Sequence, residues 1–240
     1  MKVLFHNNLF KLNIKYLFLF VIVLIFLTPI GTILHELGHI IVAKSLGYRT
    51  VLHHSSMSWD SDSKSNLMSL YLENKFEIEN NLSFKNSRQY NIDIIKLNND
   101  KLLIYLGGVF QTIFIGSLGF LLLLYKRRKS EYFTIKDWIL VFISLFWSRE
   151  ILNLIVGIIR GLFNKDGIYF YGDEAKISKL LNLPDWSILL PLGVIAVIVI
   201  VLIIKLIPNK LKYTFILSGI IGSPIGYYLW MYVFGPLMLP

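Results

Sequence analysis

Five stretches of this chain are apolar over more than the roughly 18 residues needed to cross the hydrocarbon core of a bilayer. They run over residues 16–45, 102–125, 138–160, 188–206 and 213–234. Backbone N–H and C=O groups find no water at that depth, so each stretch has to satisfy its own polar groups as a helix. The expected fold is an all-α polytopic membrane bundle, with residues 1–240 forming a single membrane-embedded domain. Composition adds one exclusion. With 55% hydrophobic and 16% charged residues in 240, a soluble domain of this size has too little interior for the apolar surface.

The first stretch is longer than one bilayer thickness, so it tilts, kinks at Pro29 or projects beyond the membrane. It is too long for a signal-peptide core and no small-x-small cleavage site follows, so it is expected to remain as a helix. Between the first two stretches lies an extramembrane region, 47–100, rich in Asn, Ser and Lys. Its alternating segments, 71–79 and 91–94, predict short β-strands.

The formal net charge is +9, but its distribution points to a lipid bilayer as partner and away from nucleic acid. Basic residues gather at the ends of apolar runs: Lys2, Lys11 and Lys15; Lys126, Arg127, Arg128 and Lys129; Lys205, Lys210 and Lys212. With five spans all three clusters fall on one side, which the positive-inside rule makes cytoplasmic. The expected location is a bacterial plasma membrane with the N-terminus in the cytoplasm. The far end of the first span and the segment 161–187 then share the opposite face and can converge.

That far end carries His35-Glu36-Leu37-Gly38-His39, a His-Glu-x-x-His sequence. Residues four apart stack on one helical face, so both imidazoles can hold one ion. The chain has no Cys, so a metal here is held by His and carboxylates, and zinc suits such a site, at one ion per chain. Glu36 beside the first ligand is placed to act as general base and acid. Gly38 keeps the face narrow enough for a neighbouring backbone. A third ligand is required. Asp173 is the first candidate because it opens a short helical stretch that would hold it rigidly, although helix capping is the ordinary role of such an Asp. Asp166 and Glu174 are alternatives, and Glu150 would serve in a metalloprotease that uses a Glu ligand.

These residues resemble the site-2 protease family of intramembrane zinc metallopeptidases. The resemblance rests on Gly31-Thr32-Ile33-Leu34-His35-Glu36-Leu37-Gly38-His39, on the glycine-bearing Leu106-Gly107-Gly108-Val109-Phe110-Gln111, and on Gly172-Asp173-Glu174-Ala175. It spans about 28–183; the chain lacks the Asn-x-x-Pro that precedes the ligand Asp in better-known members, and it lacks a PDZ-like insertion. The resemblance implies hydrolysis of peptide bonds in a transmembrane or membrane-associated protein, with the substrate unwound; a short strand expected in region 47–100 offers an edge with which that segment can pair.

Other features admit plainer readings. Arg149 and Glu150, with Asn153 one turn on, are either functional intramembrane charges or an ion pair tying helices together. Gly107, Gly108, Gly116 and Gly119 read as helix-packing positions, and Gln111 as a polar neighbour of the site. His53 and His54 read as loop histidines that bind nothing. Gly219, Gly222, Pro224 and Gly226 predict a broken or kinked last helix. Two rival functions are carried forward: a zinc-binding membrane protein that does not cleave, and an ion or solute transporter. The oligomeric state is left open.

Overall fold

The computed structural model describes residues 12–129, 132–163 and 170–239; Lys2, Lys11 and Asp166 lie outside them. Helix α1 (Ile14–Ser45) is followed by strands β1 (Arg49–Leu52) and β2 (Met57–Asp60). Helices α2 (Asp62–Glu73), α3 (Lys75–Glu79), α4 (Ser87–Lys129), α5 (Ile135–Ser144) and α6 (Ser148–Phe163) come next. Then come α7 (Asp173–Leu180), α8 (Trp186–Leu206), α9 (Asn209–Tyr228) and α10 (Gly235–Met238). Five helical stretches are long and apolar enough to cross a membrane: α1, α4, α5 with α6, α8, and α9 through α10. The protein is therefore an all-α bundle of membrane-spanning character with one small two-stranded sheet.

Asn13 caps α1 by accepting a bond from the Tyr16 amide (3.3 Å), and the helix runs through Pro29 without interruption. Gly47 ends it at φ +88°, a left-handed conformation that glycine adopts without a Cβ clash. The chain then enters an antiparallel hairpin in which Arg49 pairs with Asp60 and Leu52 with Met57. Region 47–100 thus holds strands, but not where alternation placed them. Residues 71–79 fall largely in α2 and α3, and 91–94 lie in α4. Short alternating runs are ambiguous between periods. Here 91–94 are continuous with a helix of 43 residues, about 65 Å at 1.5 Å per residue, whose first 15 residues extend past the apolar stretch.

Two spans are not regular. Between α5 and α6 lies a single 3-10 turn, Leu145–Trp147, where Trp147 donates from Nε1 to Ser117 Oγ (3.2 Å). Winding three residues at 3 per turn in place of 3.6 rotates α6 about the span axis by about 60°. The last span is interrupted by a π-helical turn, Leu229–Phe234, after the Gly/Pro positions that predicted a break and not at them. That turn lets Trp230 Nε1 donate to His54 O (2.8 Å). The His54 amide donates in turn to Leu239 O (3.0 Å), so the end of the last span is fastened to the hairpin turn.

Helix α1 packs against α4 and α9, and α7 against α4 and α8. One end of the bundle is a wholly apolar core of Phe20, Leu123, Val141, Trp147, Ala196, Val199, Ile203, Ile207 and Phe215. At the other end α1, α4, α6 and α7 enclose polar side chains.

Candidate metal centre

Helix α1 supplies the first two groups. His35 and His39, one turn apart, bring their Nε2 atoms within 3.1 Å of each other. The third group arrives from α7. Gly172 precedes it at φ +99°, and Asp173 as the first residue of the helix places Oδ2 at 3.0 Å from His35 Nε2 and 3.1 Å from His39 Nε2. His35 is fully buried, and His39 and Asp173 nearly so. Among the described residues, this is the group of His and carboxylate side chains whose ligand atoms converge on one point.

The far sides of both rings are held. His39 Nδ1 lies 2.6 Å from Ile104 O. A carbonyl only accepts, so this nitrogen carries the proton and Nε2 presents a lone pair. The Gly108 amide is 3.2 Å from the same Nδ1, but the shorter contact decides the tautomer. Ile104 is also the helical partner that Gly108 requires, and its oxygen has a lone pair for each. His35 Nδ1 meets Thr112 Oγ1 at 2.8 Å. The arrangement is that of metal-ligating histidines, whose second ring nitrogen is fixed by an outer partner.

Helix α4 reaches these rings because both helices are bare at the crossing. A Cβ built on Gly38 would lie 2.5 Å from Gly107 O, and one built on Gly107 would lie 2.6 Å from Gly38 O. A Cβ on Gly108 would collide with the His39 ring. The glycines read as packing positions thus have a second consequence, since they let α4 deliver Thr112 and Ile104 O to the imidazoles.

The donor set fits a divalent cation. Two Nε2 lone pairs and one carboxylate oxygen form a triangle with edges of 3.0 to 3.1 Å. Tetrahedral zinc with bonds of about 2.0–2.1 Å needs edges of about 3.3 Å, a relaxation of a few tenths of an ångström. Asp173 divides its oxygens, with Oδ1 accepting from Lys176 Nζ at 3.2 Å. Burial disfavours the Asp173 charge, yet an imidazole that carries a proton on both nitrogens, donating from Nε2, and the ammonium of Lys176 hold the carboxyl well below its usual range. Lys176 is likewise held above its ordinary value, the charge of Asp173 outweighing the effect of burial.

Glu36, His39 and Asp173 line a cavity of about 230 Å³ with Ile104, Tyr105, Arg149 and Lys176, and with Ser55, Ser56, Met57 and Trp59 of the hairpin. No hydrogen bond engages the Glu36 carboxylate among the described residues.

Other expected residues fall elsewhere. Glu174, an alternative ligand, is fully buried but meets Asn153 Nδ2 (3.4 Å) and not the imidazoles; burial pushes its carboxyl up. Glu150 is fully buried close to Glu174, with no donor on either oxygen. Arg149 and Glu150 form no ion pair with each other, which corrects the tethering reading: adjacent residues on a helix do not face each other. Gln111 Oε1 is buried without a partner; its neighbour Thr112 is the residue that holds His35. His53 bonds Ser58 (3.1 Å) and His54 bonds Leu239 O (3.1 Å). Sequence reasoning did not single out Thr112, Lys176, Tyr105 or the hairpin lining. Only Thr112, a hydroxyl inside an apolar run one turn beyond Gly108, carried a local signal.

Comparison with known proteins finds no matching family model, no matching curated protein and no matching solved structure.

Proposed function

We propose that the protein is a zinc-dependent intramembrane endopeptidase of the site-2 protease type, acting on transmembrane or membrane-associated proteins in a bacterial plasma membrane, with its N-terminus cytoplasmic. The observation that carries this reading is the unengaged carboxylate of Glu36 lining one cavity with His39 and Asp173. A binding protein or a purely structural metal site has no use for a free carboxylate there. His35, His39 and Asp173 hold the ion, one per chain, and a bound zinc supplies Lewis acidity toward water and the scissile carbonyl.

The remaining work belongs to the chain. Glu36 takes a proton from the attacking water as its oxygen bonds to the carbonyl carbon and the π pair moves onto the carbonyl oxygen. When the oxyanion's pair re-forms the carbonyl, the C–N bond breaks with its electron pair leaving on nitrogen, and Glu36 passes the proton to that nitrogen. The products are a carboxylic acid and an amine, which in water become carboxylate and ammonium. Thr112 and Ile104 O keep both rings oriented throughout. An intact helix shields its own peptide bonds, so a transmembrane segment enters unwound, alongside the hairpin residues Ser55, Ser56, Met57 and Trp59 that line the cavity.

The test is zinc content and cleavage of a transmembrane peptide in vesicles, for wild type, His35→Ala, Asp173→Ala and Glu36→Gln. Wild type should hold about one zinc and cleave; the first two variants should lose both zinc and cleavage. Glu36→Gln should keep zinc and lose cleavage by a factor on the order of 10³ or more. Wild type that holds zinc and cuts no peptide would overturn the reading.

A further inference from the structure

The cavity wall carries two cations, and only one of them is occupied. Lys176 is bound to Asp173 Oδ1 at 3.2 Å and lies over the Tyr105 ring at 4.8 Å. Arg149 has no hydrogen bond and no ion pair to any described residue, and its Nε is buried without a partner. It lines the cavity together with Glu36, His39 and Asp173.

Such a residue needs a reason. A guanidinium inside a membrane-spanning helix costs several kcal/mol unless something compensates it. The plain compensation would be an ion pair with the buried carboxyls of Glu150 and Glu174, and Arg149 makes neither. Its place in the chain is equally specific. It is the second residue of α6, one residue after the 3-10 turn at Leu145–Trp147, whose tighter winding rotates α6 by about 60°. Five N–H donors in a fixed plane thus border a cavity that also holds the proton acceptor and two of the metal ligands.

We propose that Arg149 is a catalytic residue that hydrogen-bonds the carbonyl oxygen of the scissile peptide bond and stabilises the negative charge that develops on it. The proposal rests on the peptidase reading above. Arg149 forms and breaks no covalent bond and keeps its protons. It donates N–H to an oxygen whose charge grows from that of an amide carbonyl toward a full oxyanion, so its hydrogen bonds strengthen in the transition state. Arg149 then acts on the oxygen that a bound zinc would polarise, while Glu36 handles the water and the amine.

Two measurements test this on zinc-loaded protein in detergent. In the first, Arg149→Ala should lower kcat on a transmembrane peptide by roughly 10²–10³, with KM within about threefold and zinc content unchanged. Arg149→Lys, which keeps charge but not the fork, should retain part of the rate, and free guanidinium should restore part of the rate lost in Arg149→Ala.

The second measurement needs no turnover. In a Glu36→Gln background, Arg149→Ala should weaken binding of a phosphonamidate peptide, a tetrahedral anionic mimic, by tenfold or more, and binding of the unmodified peptide by no more than about threefold. Arg149→Ala that cleaves within threefold of wild type overturns the assignment and leaves the peptidase reading standing. So does loss of zinc in both Arg149→Ala and Arg149→Lys, which would make the residue a support of the fold. Absence of cleavage by wild type removes both.

Discussion

Near the start of α1, Phe20 packs among Trp138, Phe142 and Phe215 with ring centroids 4.5 to 6.0 Å apart. Fifteen residues further along the same helix, about 22 Å at 1.5 Å per residue, His35 meets Thr112, His39 and Asp173 at 2.8 to 3.1 Å. The rings around Phe20 lie at interplanar angles of 39°, 63° and 79°, so no one orientation is required. At the other end each imidazole nitrogen has a named partner. The first end depends on volume and dispersion, which many side chains supply. The second depends on direction, which few supply. In a bilayer the contrast sharpens, because lipid tails are as apolar as the core and packing, not transfer from water, holds helices together.

The sharpest way to break this contrast is Gly108→Ala. One methyl group placed against the His39 ring should displace it and abolish stoichiometric zinc binding, with the helical circular dichroism retained. Zinc retained at wild-type affinity would show that the polar end is as tolerant as the apolar one.

Next in size is Phe20→Ala. With the cavity cost present and the water-transfer part absent, it should destabilise the bundle by about 2 kcal/mol, read as a lower thermal midpoint in detergent. Zinc affinity should stay within twofold; a larger loss would mean that the two ends are mechanically coupled along α1.

The smallest effect belongs to Gly31→Ala. It lies one turn before His35, yet an added Cβ meets nothing within 4 Å. Zinc content should be unchanged, and the helix should gain at most about 1 kcal/mol. A loss of zinc would mean that nearness to the site, and not contact with it, governs sensitivity.

What could be read before the structure divides along the same line. Hydropathy sums locally, so the five spans were legible from composition in a window. The pairing of His35 with His39 was legible because a helix brings i and i+4 together whatever surrounds it. Asp173 could be approached only through topology, by asking which segments share a membrane face. Ile104 and Thr112 were out of reach in their roles, since a backbone carbonyl has no sequence signature and the glycine crossing that delivers both is a tertiary event. Strands expected at 71–79 and 91–94 failed for a related reason: a few alternating residues carry less weight than the helices that absorb them. The hairpin at Arg49–Asp60 is set by the turn after Gly47 and by pairing, neither of which a hydropathy pattern records.

The distance in sequence between the converging groups has a further consequence, one of timing. Asp173 is separated from His35 by 138 positions and from His39 by 134. At a synthesis rate of roughly 5–20 residues per second, the histidines precede their carboxylate by on the order of ten seconds. During that interval the motif on α1 is already made while its third donor does not yet exist. The order of synthesis alone therefore keeps the three-donor site from forming until most of the spans have been made.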